Sequence, residues 1–119
     1  MCTGVLELDH VQVAAPPGCE VEARRFYGGV LGLEELPKPA LLEGRGGCWF
    51  LLGDGHELHV GVEREFAPAR KAHPGLRAGD LDALAARIGD VDWADPAEIP
   101  GRRRFHCLDP FGNRLEFLE

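Results

Sequence analysis

A chain of 119 residues with 45% hydrophobic and 28% charged residues has the profile of one soluble globular domain, which excludes a disordered tail, a fibre or a multidomain enzyme. Thirteen Lys plus Arg against twenty Asp plus Glu leave a formal charge of −7, so no counterion-release term favours nucleic acid as a partner. The four cysteines are far apart with no C-x-x-C pair, residues 1–9 lack the basic and apolar regions of a leader, and no apolar run reaches a membrane span, so a cytoplasmic protein that does not associate with membranes is expected.

Residues 5–13 alternate with the period of a strand, Leu6, Leu8, His10 and Gln12 on one face and Val5, Val11 and Val13 on the other. Ala14-Ala15-Pro16-Pro17-Gly18 breaks it. From 19 to 31 the apolar residues Val21, Ala23, Phe26, Tyr27 and Val30 recur at helical spacing, and Gly32 is the expected stop. A short extended piece at 33–36 and a Pro/Gly loop precede strands at 48–52 and 57–62, joined by Gly53-Asp54-Gly55.

A polar loop leads to a strand at 73–78, and Asp80 caps a helix whose Leu81, Leu84, Ala85 and Ile88 keep the helical period until Gly89. A short strand at 91–94 and two longer ones at 104–109 and 114–118 follow, the last two joined by Asp109-Pro110-Phe111-Gly112-Asn113. Both halves therefore read β-α-β-β-β, an α+β fold made by a duplicated module, with boundaries at about 1–64 and 70–119.

Because side chains alternate along a strand, the apolar face of each strand must meet the helices and the other face is left for chemistry. That second face carries His10 and Gln12, Trp49, Glu57 and His59, His73 and Arg77, Arg104 and His106, and Arg114 and Glu116. His10 and His73 fall on the first strands of the two halves, His59 and Glu116 on the last. Imidazole with carboxylate suits a divalent Zn, Ni, Mn or Fe ion, and a pseudo-two-fold arrangement gathers such equivalent positions on its axis.

Leu8-Asp9-His10-Val11, Arg25-Phe26-Tyr27-Gly28-Gly29-Val30-Leu31-Gly32-Leu33 and Asp109-Pro110-Phe111-Gly112-Asn113-Arg114-Leu115-Glu116-Phe117 closely resemble the signature segments of the vicinal oxygen chelate superfamily, which includes glyoxalase I, bleomycin-resistance proteins, fosfomycin-resistance thiol transferases and extradiol dioxygenases. The resemblance implies a cupped mixed sheet of two βαβββ modules and a divalent metal held by His10, His73 and Glu116. His59 stands where glyoxalase I enzymes carry a metal-binding glutamate, so it is a candidate ligand or base, with Glu57 as a substitute carboxylate.

The expected function is thus that of a metal-dependent enzyme of glyoxalase or dioxygenase type, acting on a small oxygenated substrate, with His59, Glu57 and His106 as proton-moving groups. Trp49, Gln12, Arg77, Arg104 and Arg114 are the candidate substrate-binding residues, since Arg recognises carboxylate or phosphate. The rival expectation is a non-catalytic small-molecule binder of the bleomycin-resistance type. A homodimer is expected in either case, with the cup closed within one chain or exchanged between two.

Overall fold

The computed structural model of the protein describes residues 4–119, so Cys2 lies outside the described residues. Strand β1 is His10–Ala15, displaced toward the C-terminus from the alternation over 5–13. A ladder extends only as far as its partner: β4 (Glu57–Val62) runs parallel to β1 from His10↔Glu57 to Ala15↔Val62. Residues 5–9 therefore precede the strand, with Val5, Leu6 and Leu8 exposed.

The first helix begins as α1 (Glu20–Ala23) and continues as a wider π-helical stretch over Arg24–Val30, in which Leu31 N–H donates to the Phe26 carbonyl five residues back at 2.9 Å. The Gly28-Gly29 pair weakens the tighter α register there. Gly32 then takes φ 75°, and Leu33 N–H returns to the Tyr27 carbonyl at 3.0 Å, closing the helix with a return one residue wider than a Schellman turn, in keeping with the π-helical stretch. After β2 (Glu34–Leu36), a single-turn helix α2 (Ala40–Glu43) occupies what the sequence reads as loop; four residues are too few to show a helical period.

Strand β3 (Cys48–Leu51) completes a first sheet in the order β1-β4-β3-β2. The second half repeats this topology with β5 (Gly75–Arg77), α3 (Leu81–Ile88), β6 (Asp92–Trp93), β7 (Arg104–Leu108) and β8 (Arg114–Leu118), in the order β5-β8-β7-β6. Strand β5 is shorter than the expected 73–78, so His73 sits in the lead-in rather than in the ladder. Asp80 caps α3, its carboxylate accepting from Ala83 N–H at 3.0 Å. The result is an α+β fold of two βαβββ modules, each a four-stranded mixed sheet.

Val13, Tyr27, Phe50, Leu58 and Val60 of the first half share one core with Leu81, Leu84, Phe105, Leu115 and Phe117 of the second. The Asp109 turn clasps the halves together. Asp109 Oδ1 accepts from the N–H groups of Phe111 (2.9 Å) and Asn113 (2.8 Å), and Oδ2 accepts from the Tyr27 hydroxyl (2.7 Å) and the Asn113 amide (2.9 Å). The same Asn113 amide donates to the Ala14 carbonyl of β1 at 2.7 Å. Among the described residues no helix is long and apolar enough to cross a membrane.

Candidate metal and substrate site

The ladder registers expose a strict correspondence between halves. Gln12 and Trp49 flank His59 on neighbouring strands, while Gly75 and His106 flank Glu116 in the same way. His10 and His73 each lie two residues before the flanking position, so His10 answers to His73, Trp49 to His106 and His59 to Glu116. Since the alternate residues of these strands fill the shared core, each polar face points away from it. One chain thus carries two candidate half-sites, one on each sheet.

On the second sheet, His73, His106 and Glu116 bring one ligand atom each within 4.8 Å of one another, the one such cluster among the described residues. His73 Nδ1 lies 2.7 Å from the Lys71 carbonyl, an acceptor that fixes a proton on that nitrogen. Its Nε2 then faces Glu116 Oε1 at 2.8 Å, and His106 Nε2 faces the same oxygen at 3.6 Å. With Nδ1 already donating, the space between Nε2 and the carboxylate is held either by a proton or by a cation. That donor set fits a divalent ion: two imidazoles and a carboxylate, one imidazole oriented from behind by a backbone carbonyl.

Electrostatics prepare these groups. Burial alone would raise the Glu116 carboxyl, but hydrogen bonds from His73 and Arg104 and the charges of His106 and Arg104 hold it below its ordinary value. Burial pushes His106 down, helped by the Arg114 guanidinium and opposed by Glu116, so its ring is kept neutral and available as a ligand or base. Arg104, largely buried, donates from Nη1 to Glu116 Oε2 at 3.2 Å and from Nη2 to Glu98 Oε1 at 2.5 Å. Glu98 sits in a loop with no hydrophobic period and gives no sign of this role in the sequence.

On the first sheet, His59 is buried between two rings. Trp49 stacks on it at 4.1 Å and 3°, and His10 stacks on its other face at 4.2 Å and 15°. His59 Nε2 lies 2.9 Å from Glu57 Oε1, and His10 Nδ1 2.8 Å from Asp9 Oδ2, each imidazole being backed by a carboxylate. Gln12 packs over Gly61, where an added Cβ would fall 2.5 Å from its amide nitrogen. The structure therefore brings together His73, His106 and Glu116 in one cluster and His10, His59, Glu57 and Trp49 in another. Arg114 is half-buried beside the first of these, and Arg77 is exposed on β5.

Two repeated βαβββ modules whose polar sheet faces carry histidines and a carboxylate define the vicinal oxygen chelate class. A glyoxalase family protein from Bacillus anthracis is 48% identical over 100% of this chain and 98% of its own, with a TM-score of 0.91. A glyoxalase/dioxygenase from Nostoc punctiforme is 23% identical, with 99% and 93% of the two chains covered and a TM-score of 0.74, and a lactoylglutathione lyase from Agrobacterium tumefaciens is 22% identical, with 98% and 95% covered and a TM-score of 0.72. The chain belongs to the glyoxalase family, within the vicinal oxygen chelate superfamily. No protein-family model matches the chain, nor does any curated protein.

Proposed function

We propose that the chain is a metal-dependent enzyme of glyoxalase or dioxygenase type, acting on a small substrate that presents neighbouring oxygens to a divalent ion. The observation that carries this reading is His73, tied through Nδ1 to the Lys71 carbonyl and presenting Nε2 to Glu116 beside His106. When bound, a Zn, Ni, Mn or Fe ion supplies Lewis acidity that stabilises negative charge developing on a chelated oxygen. His73 and Glu116 would hold it from the second sheet; His10 would complete the set from the first, with His59 as a further donor.

The remaining residues bind, orient and move protons. Glu57 holds His59 at 2.9 Å, a carboxylate–imidazole pair able to accept a proton from a substrate carbon and return it to a neighbouring atom. Trp49 locks the His59 ring and walls the cup, and His106 is a second neutral imidazole on the opposite half-site. Arg104 and Arg114 offer guanidinium groups to an anionic or oxygenated substrate.

Completion of the site requires a second copy of the chain. The two polar faces point away from one shared core, while β1 and β5, the strands nearest His10 and His73, are each at a sheet edge with an unpaired side. A two-fold partner that lays its β5 beside β1 unites His10 and His59 of one subunit with the second half-site of the other.

The test is elemental analysis of protein purified without chelator. About one equivalent of transition metal per chain is expected, lost in a His73→Ala/Glu116→Ala double variant. Folded wild type that takes up no metal after reconstitution overturns the reading.

A further inference from the structure

Arg104 is shared by two carboxylates of unequal standing. Its guanidinium is 13% exposed, as is Glu116, whereas Glu98 is 58% exposed and belongs to the loop between β6 and β7. The shorter contact goes to the exposed partner, 2.5 Å to Glu98 against 3.2 Å to Glu116. Otherwise the loop bonds mainly to itself: Asp95 accepts from Ala97 N–H through its side chain and from Glu98 N–H through its carbonyl. One exposed carboxylate is therefore docked on a largely buried guanidinium whose other donor touches a candidate metal ligand.

We infer that Glu98 is an internal stand-in for a carboxylate of the substrate, which displaces it from Arg104 Nη2 on binding. The substrate class is then a carboxylic acid with a hydroxyl or oxo oxygen on the neighbouring carbon. Such a molecule presents two adjacent oxygens for chelation and keeps an outer carboxylate oxygen for the guanidinium, which sits directly beside Glu116. The chemistry of the stand-in specifies the ligand: the position already receives a planar carboxylate oxygen at a charge-assisted hydrogen-bond distance. Glu98 leaves cheaply because its side chain returns to water, whereas Arg104 stays in the wall of the cup. The loop thus occupies the anion position until an anion arrives, and a neutral analogue, which does not use that position, gains nothing from its release. This assignment rests on the metal reading of the His73–Glu116 site.

The test is calorimetric titration of zinc-loaded, full-length protein with glycolate and with its neutral analogue glycolamide, zinc content being measured on each sample. Glu98→Gln is expected to tighten glycolate by about twofold to fivefold, the range an ion pair of this exposure supports, and to leave glycolamide unchanged. Arg104→Gln is expected to reduce glycolate to the affinity of glycolamide. In the wild type, glycolate should speed hydrogen exchange at the Ala97 and Glu98 amides, a readout independent of any variant's folding. Unchanged glycolate affinity in zinc-replete Glu98→Gln, or equal tightening of glycolamide, overturns the stand-in. A gain for inorganic phosphate as large as that for glycolate overturns the carboxylate assignment alone. Wild type that binds no zinc instead overturns the metal reading, and the stand-in falls with it.

Discussion

Replacing Tyr27 by phenylalanine removes a single oxygen from the clasp between the two halves and nothing from either polar sheet face. Tyr27 is fully buried, and its hydroxyl donates to Asp109 Oδ2 at 2.7 Å. Phenylalanine keeps the ring and its packing against Phe26 and Phe50, so the loss is that of one hydrogen bond to a buried carboxylate. Bonds to charged groups contribute about 1.5–3 kcal/mol, and Asp109 keeps three other donors, so a loss of about 2 kcal/mol is expected. With an unfolding entropy of roughly 0.25 kcal/mol/K for a chain of this size, Tm should fall by about 8 °C.

The clasp also sets an alkaline limit. Burial first, and then the Asp109 charge, push the Tyr27 hydroxyl above its ordinary value. A folded-state pKa above the unfolded one contributes stability that is complete below about pH 10 and is lost as pH rises beyond it. Urea unfolding of wild type and Tyr27→Phe between neutral and alkaline pH should therefore give curves that converge above that limit. A Tm change under about 2 °C at neutral pH, or a gap that does not narrow in alkali, refutes the clasp as a source of stability.

Other substitutions probe separate parts of the structure. At Gly47, with φ 86°, an added Cβ would lie 2.1 Å from the Val60 carbonyl oxygen, so Gly47→Ala should cost at least about 2–3 kcal/mol; denaturant midpoints like those of wild type would contradict this. Asp80→Ala removes the α3 cap and should lower Tm by about 4 °C, whereas Asp80→Asn should restore most of it. His106→Gln should weaken metal binding by about tenfold while leaving Tm nearly unchanged; an unaltered dissociation constant would show that His106 does not support the ion.

Acid should act on the same cluster. The His106 ring, held below its ordinary value, contributes stability above about pH 6.5 that is lost as pH falls past that point. His106→Gln should accordingly flatten the stability profile between about pH 7 and pH 5, measured by urea midpoints of metal-free protein. A profile that keeps its full slope in the variant would assign the acid sensitivity elsewhere.

Local chemistry made much of this molecule legible before any coordinates. Strict alternation put Leu58 and Val60 on the core face and Glu57 and His59 on the other, because a strand offers only two faces, although His59 is itself buried between Trp49 and His10. Asp80 and Gly89 bracket α3 as capping requires. The Asp109–Asn113 segment was readable as a turn, and its motif carried the family. What the sequence did not expose was why that motif is there: Asp109 spends all four of its hydrogen bonds on structure, one of them to a hydroxyl 82 residues away.

Residue type and spacing alone thus determined the repeated β-α-β-β-β order, the polar and apolar faces, and the set of imidazoles and carboxylates from which a site is built. These follow from interactions within a few residues, which a one-dimensional pattern encodes. Tertiary structure decided which members meet. Strand order in each sheet set Trp49 and His10 on either face of His59 and brought His106 opposite Glu116, while the shared core left each polar face on the far side of its own sheet. Glu98 reached Arg104 through a loop whose path no period records. Such encounters depend on contacts between distant segments, and only the packed chain fixes them.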